Sequence, residues 1–227
     1  MPDAPEKGYC VIIPAYKAEE TIAQLVRASR AQGLPVVVVD DGSHDRTAQL
    51  ASKEGAVVIS HLKNRGKGTA LRTGFRHALR AGYAGVITLD SDGQHDPRDI
   101  PVLIQAGERQ HAGIVVGNRM PHGGAMPPMR RWTNQFMSWV VSALTRQRIP
   151  DSQCGFRFIH RGVLTSVRLR SRRFEIETEL LLEAARRRWK MVSAPVQTIY
   201  RNEASYIRPL RDTVRFLGVV ARHLLRA

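Results

Sequence analysis

Two short acidic clusters carry the most reactive chemistry in this sequence. One is Asp40-Asp41-Gly42-Ser43, followed by Asp45 and Thr47; the other is Asp90-Ser91-Asp92-Gly93-Gln94-His95-Asp96-Pro97. Each closes an apolar run. Like charges crowded at low effective dielectric repel by several kcal/mol, so something positive must neutralise them. For Asp90 and Asp92 a hard divalent cation would do so. Carboxylates two residues apart at a strand end can turn toward one ion, with the Gln94 oxygen nearby. Mg²⁺ and Mn²⁺ take one or two carboxylates plus substrate phosphates. A turn stitched by Asx hydrogen bonds fits the same residues; the second acidic strand end favours function. Ser43 or Asp45 would also cap a helix running through Leu50, while the aspartates face a crevice. Asn64-Arg65-Gly66-Lys67-Gly68 opens the next helix with two glycines around a lysine, which permits close backbone approach to an anion. The spacing is not that of a P-loop.

These residues need elements to hold them. Tyr9–Ile13, Val36–Val39, Ala56–Ser60, Ala84–Leu89 and Gly113–Gly117 are short apolar runs, the form taken by strands buried on both faces of a parallel sheet. Between them lie segments of helical spacing: Ile22, Leu25, Val26 and Ser29; Ala70, Phe75, Ala78 and Leu79; and Asp99 to Gln110 after Pro97. Alternation of strand and helix predicts an α/β fold with a mostly parallel sheet flanked by helices. In such sheets ligands bind beyond the carboxyl ends of the strands, where both acidic clusters fall.

The chain has 227 residues, 35 Lys+Arg against 20 Asp+Glu, and a formal net charge of +15. An apolar content of 43% excludes a disordered chain, and a core of this size needs no disulfide or metal staple. Two cysteines, Cys10 and Cys154, make no disulfide framework, so a reducing compartment is expected. The N-terminal stretch lacks the apolar core of a signal peptide, and no window approaches the ~20 apolar residues that span a bilayer. The positive excess calls for an anionic partner. Nucleic acid explains neither acidic strand end, and no pattern of exposed aromatics offers a stacking platform.

In order along the chain, several segments resemble one family. Ile13-Pro14-Ala15-Tyr16, Val39-Asp40-Asp41-Gly42-Ser43-x-Asp45-x-Thr47, Asn64-x-Gly66-Lys67-Gly68 and Leu89 to Pro97 resemble the family 2 glycosyltransferases of the GT-A (Rossmann-like) fold. Their branch is that of dolichyl- and polyprenyl-phosphate sugar transferases. Gly117-Asn118-Arg119, Asp151-Ser152-Gln153-Cys154-Gly155-Phe156-Arg157, Phe174 to Glu179, Pro195-Val196, Tyr200-Arg201 and Ser205 extend the resemblance over residues 9–209. It implies a catalytic domain over 1–209, with a C-terminal amphipathic helix over 210–227. Pro14, Ala15, Tyr16, Glu19, Asp40, Asp41 and Gly42 would hold the nucleotide, with Lys67, Asp90 and Ser91 near the nucleotide sugar. Asp90, Asp92 and Gln94 would bind Mg²⁺ or Mn²⁺ bridging the diphosphate. Asp92, Arg119, Arg131 and Arg201 would be catalytic, and Arg119, Arg131, Ser138 and Arg201 would meet the acceptor phosphate. The chain departs from the family at Lys17-Ala18-Glu19, where Asn and Glu usually follow Tyr16, and at Glu203-Ala204-Ser205-Tyr206 in place of Gly-x-Ser-Lys.

The implied activity is metal-dependent, inverting transfer of a sugar, mannose or glucose foremost, from a nucleotide-diphosphate donor to a polyprenyl phosphate at the cytoplasmic membrane face. A saccharide hydroxyl as acceptor is the alternative. An alcohol needs a general base, whereas a monoalkyl phosphate is already ionised near neutral pH and needs orientation. Arginine's planar fork supplies that, and the stretch from Asn118 to Tyr206 is rich in arginine. Glu175, Glu177 and Glu179 fit either a solvated first helical turn or a role beside an arginine. Trp132 to Thr145 carries no charge between Arg130-Arg131 and Arg146, which suits a helix lying in a membrane interface or one buried on the sheet. In the C-terminal helix Arg211, Arg215, Arg222 and Arg226 share one arc, opposite Leu210, Val214, Leu217, Val220, Ala221, Leu224 and Leu225. That stripe suits an anionic lipid surface or a membrane-anchoring partner; a helix folded back with its arginines in water fits too.

Overall fold

The computed structural model describes residues 7–121, 128–199 and 209–225, and the side chains of all of these except 128–130 and 209–215. The β-branched run becomes β2 (Val36–Asp40), every residue of it buried. Its neighbours in the sequence pattern become β1 (Lys7–Ala15), β3 (Val57–Ser60), β4 (Tyr83–Thr88) and β5 (Ile114–Asn118). Two strands escaped the sequence pattern: β6 (Arg157–His160) and β7 (Met191–Pro195). Both are short, and β6 opens on a charged residue, so neither presents a clean apolar run.

The seven strands form one sheet in the order β3-β2-β1-β4-β6-β5-β7. β6 runs antiparallel to β4 and β5, and the other neighbours pair in parallel. One expectation fails at the edge. β3 is not buried on both faces: its residues are exposed or half-buried, because an edge strand has a partner on one side only.

The helices between strands are α1 (Ile22–Arg30), α2 (Thr47–Lys53), α3 (Lys67–Arg80) and α4 (Ile100–Arg109), the last entered through a single 3₁₀ turn at Pro97–Asp99. Each turns an apolar stripe to the sheet, as Ile22, Leu25, Val26 and Ser29 do on α1. α2 starts later than its capping residues suggest. Arg46 occupies the N-cap, and Asp45, one place earlier, accepts the N–H and hydroxyl of Thr47.

Beyond the sheet lie α5 (Pro128–Thr145), α6 (Arg161–Ser166), α7 (Ile176–Arg186) and α8 (Pro209–Leu224). α5 is buried on one face, as the second of its two readings expects, and bears aromatic side chains in the open on the other. Asn134, Met137, Ser138, Val141 and Thr145 are buried at helical spacing, while Trp132 and Trp139 are 69% and 68% exposed. Phe136 stands between them, ring centroids 6.4 Å and 6.3 Å away. On α8 the inward residues are Phe216 and Val219, whereas Leu217 and Leu224 of the expected apolar face are exposed. The side chains of Arg211 and Arg215, and Arg226 altogether, lie outside the described residues.

The strand order sets where a ligand can bind. After β3 the chain crosses to the far side of β1 and resumes as β4. The carboxyl ends of β1 and β4 therefore diverge, which is the switch point of an open α/β sheet.

Candidate active site

Two loops meet at the end of β1. Pro14 and Ala15 are buried and Tyr16 emerges beside them at 37% exposure. The loop after β1 is fastened to the loop after β2: Lys17 N–H donates to Ser43 Oγ at 2.9 Å and Ala18 N–H to Thr47 Oγ1 at 2.8 Å. Glu19 turns outward instead, its carboxylate 3.2 Å from Arg46 Nε. The two aspartates ending β2 are almost fully buried and both are engaged. Asp40 accepts from the Ser43 N–H at 3.1 Å. Asp41 accepts the Gly66 N–H at 2.6 Å, the Arg65 N–H at 3.0 Å and lies 2.7 Å from His61 Nδ1. Its negative charge thus shapes the glycine–lysine loop. Gly42 must be glycine, since at φ 76° a side chain there would strike the main chain of Lys63 and Asn64.

That loop delivers Lys67 into the crevice. Its ammonium lies 2.6 Å from Asp90 Oδ1 and 2.6 Å from Glu177 Oε1, over the Phe174 ring. Burial works against the charge, but the two carboxylates outweigh it and hold Lys67 above its ordinary value. Burial would raise Asp90 too; Lys67 first, then His95 and Arg119, keep its carboxyl below the usual range. Asp92 Oδ1 accepts the Gln94 N–H at 3.0 Å, and Thr21 donates to the Ser91 carbonyl at 2.6 Å, fastening this loop to the start of α1. His95 departs from a turn residue's usual role. It is 2% exposed, its Nδ1 has no partner among the described residues, and burial pushes its pKa down to about 4, so it stays neutral against the Phe156 ring.

The opposite wall comes from the segment before β6. Gly155 packs so closely on Asp90 that a Cβ would collide with both carboxylate oxygens. Gly155→Ala is therefore expected to displace the carboxylate, costing about 1–3 kcal/mol of stability and raising the metal concentration needed for half-maximal turnover. Thermal unfolding and a metal titration check this; an unaltered titration overturns it. Next in sequence but one, Arg157 is 1% exposed and donates to the carbonyls of Ser152, Cys154 and Glu177 at 2.7, 2.7 and 2.8 Å. Sequence reasoning placed Arg157 in a motif and gave it no task. Glu177 and Glu179, expected as a possible solvated turn, are instead buried: the first binds Lys67, the second accepts the N–H groups of Arg170 and Ser171.

The expected acceptor residues divide. Arg119 is buried in a bidentate pair with Asp151, at 2.7 Å and 2.9 Å, and Asn134 of α5 donates to the same carboxylate. Ser138 is buried with its hydroxyl 3.1 Å from Ser152 Oγ and accepting the Ser152 N–H. Arg131 stands exposed on α5, and Arg201 lies outside the described residues. Both cysteine thiols are pushed up to about 12 by burial, so neither is a nucleophile at neutral pH.

Comparison with known proteins supplies the family and the fold. Residues 10–168 match the model of glycosyl transferase family 2. The UDP-N-acetylglucosamine–dolichyl-phosphate N-acetylglucosaminyltransferase of Methanococcus voltae is 30% identical, over 86% of this chain and 87% of its own. The undecaprenyl-phosphate 4-deoxy-4-formamido-L-arabinose transferase of Pseudomonas paraeruginosa is 31% identical, over 69% of this chain and 48% of its own. Among solved structures, glucosyl-3-phosphoglycerate synthase of Mycobacterium tuberculosis superposes with a TM-score of 0.72 at 23% identity, covering 98% of this chain and 80% of that one. That likeness establishes the GT-A fold.

Proposed function

This chain belongs to glycosyl transferase family 2 and is a glycosyltransferase, and from that premise we propose that it transfers a hexose, mannose or glucose foremost, from a nucleotide-diphosphate sugar to a polyprenyl phosphate, with inversion. One observation supports the acceptor above others. The inner face of α5 meets the buried Arg119–Asp151 pair through Asn134, while its outer face bears Trp132, Phe136 and Trp139 in the open. An amphiphile with a charged head and an apolar tail matches that pairing. The names of the two curated relatives point the same way.

The donor would lie across the carboxyl ends of β1 and β4, with Pro14, Ala15 and Tyr16 against the nucleoside. Asp90, Asp92 and Gln94 would hold Mg²⁺ or Mn²⁺. They fit it as a small set of hard oxygens, all three residues half-buried at the crevice rather than enclosed. The bound ion would offset charge on the departing nucleoside diphosphate. Lys67 adds a fixed positive charge beside the same point, placed there before the donor arrives. Arg119, held by Asp151 through Nε and one terminal nitrogen, would face the acceptor phosphate with its remaining N–H groups, and that phosphate needs no proton removed. A hydroxyl acceptor would need a carboxylate base, and Glu177, buried beside the crevice, is committed to Lys67.

Residues 1–209 would form the catalytic domain. Residues 210–227 would lie at the cytoplasmic membrane surface with α5, held peripherally or by a membrane-anchored partner. Among the described residues no helix is long and apolar enough to cross a membrane. The double variant Trp132→Ser/Trp139→Ser is expected to weaken vesicle co-sedimentation on the order of tenfold with its melting temperature unchanged, since both rings are exposed. For the reaction itself, the protein is incubated with Mn²⁺, membranes and a panel of nucleotide sugars, and lipid-extractable label is expected. Label confined to water-soluble products would sink the polyprenyl-phosphate reading.

A further inference from the structure

On the other side of α7 from the crevice lies an open cavity of about 480 Å³. Its walls are the 170–173 segment, Glu175 and Glu179 from the start of α7, and Arg222 of α8. Glu177 turns to Lys67, and Glu179, two residues on, stands roughly 200° around the helix axis, so the two sites are separate. Four arginines, 170, 172, 173 and 222, line the cavity and are exposed. None of them forms an ion pair among the described residues.

The carboxylates nearby do not cancel this charge. Both oxygens of Glu179 are taken by the main-chain N–H groups of Arg170 and Ser171, at 2.8–3.0 Å. Glu175 accepts weakly from the Arg173 N–H at 3.4 Å, and its other oxygen has no partner among the described residues. Among the described residues, four guanidiniums against two carboxylates leave an excess of two positive charges in the cavity lining. A second observation points to a ligand. Ser171 lines the same cavity at 6% exposure, and its Oγ is buried without a hydrogen-bond partner among the described residues. A buried hydroxyl left unpaired is costly.

We infer that this cavity is a second anion site, built for a phosphate group. Guanidinium forks grip phosphate oxygens in pairs, and the Ser171 hydroxyl supplies a further donor from the floor. The phosphate comes either from an anionic phospholipid headgroup or from a free phosphate anion. The site is not isolated from catalysis. The Arg172 carbonyl accepts the Thr69 N–H at 3.2 Å, and the Arg170 carbonyl accepts from Arg72 at 3.1 Å. The wall of the cavity is thus also the backing of α3, whose first residue is Lys67.

The inference stands apart from the transfer reaction and is tested without donor or metal. The full chain in EDTA is titrated with inorganic phosphate by calorimetry. Saturable binding is expected, weakened at least about tenfold in Arg172→Gln/Arg222→Gln and about threefold in Ser171→Ala. Arg187→Gln/Arg188→Gln, the same charge change at the far end of α7, and Lys67→Met in the crevice are expected to leave it intact. Binding that never saturates, or that falls equally in the Arg187/Arg188 variant, overturns the site as diffuse charge attraction. Binding lost with Lys67→Met and kept in Arg172→Gln/Arg222→Gln overturns it as crevice binding. The source is read with phosphatidylglycerol/phosphatidylcholine vesicles. If Arg172→Gln/Arg222→Gln loses capture and inorganic phosphate competes, the ligand is a headgroup; if capture is unchanged, it is the free anion.

Discussion

Asp90→Asn lowers sugar transfer by about 10²- to 10³-fold, the usual loss when one fixed charge is removed from a reaction centre, while the protein remains folded. The amide has the shape of the carboxylate, so it meets Gly155 without new overlap. What disappears is a negative charge that both positions Lys67, at 2.6 Å, and belongs to the proposed metal set. Lys67 keeps Glu177 as its partner, so the buried ammonium is not stranded and stability falls little. The expected signature is a reduced kcat together with a higher metal requirement, at a melting temperature within a few degrees of the parent. Asp92→Ala separates the two duties of Asp90, because the ion pairs of Lys67 run to Asp90 and Glu177. It should raise the metal requirement in the same way. Unchanged turnover in both variants would remove the metal assignment altogether.

Much of this site is legible in sequence because its parts are local. Asp40 and Asp41 close one apolar run and Asp90 and Asp92 follow another, so period and composition alone place them at strand ends. What sequence does not contain is the reach across the fold. Lys67 and Glu177 are 110 positions apart, and nothing in the local pattern of Phe174 to Glu179 distinguishes a buried partner from a solvated turn. The same holds for Gly155, whose smallness has a reason only once β6 is inserted antiparallel beside β4 and brings it against Asp90. β6 itself was invisible for a related reason, since its first residue is the arginine that the core then encloses. α5 was ambiguous because a charge-free stretch is consistent with a buried face or an apolar exposed one; it has both.

That enclosed arginine gives the largest expected effect on folding. Arg157→Met keeps the volume of the stem and removes every donor. The main-chain carbonyls of Ser152 and Cys154 are then left without the donor they have now, and that of Glu177, in the first turn of α7, keeps only its helical bond. Unpaired buried acceptors cost about 1–3 kcal/mol each before relaxation, and breaking buried networks of this kind costs about 3–5 kcal/mol in all. For a domain of this size the melting temperature should drop by roughly 6–20 °C. Turnover should fall as well, because Arg157 fixes the Glu177 main chain from which the carboxylate reaches Lys67. Arg157→Lys separates the two consequences. One ammonium can serve one or two of the carbonyls at the end of a flexible stem, so part of the stability should return while the geometry of Glu177 does not. Urea unfolding and steady-state rates on both variants make the test. If Arg157→Met unfolds within about 1 kcal/mol of the parent, the carbonyls find other donors and Arg157 is not the brace between the Asp151–Arg157 segment and α7.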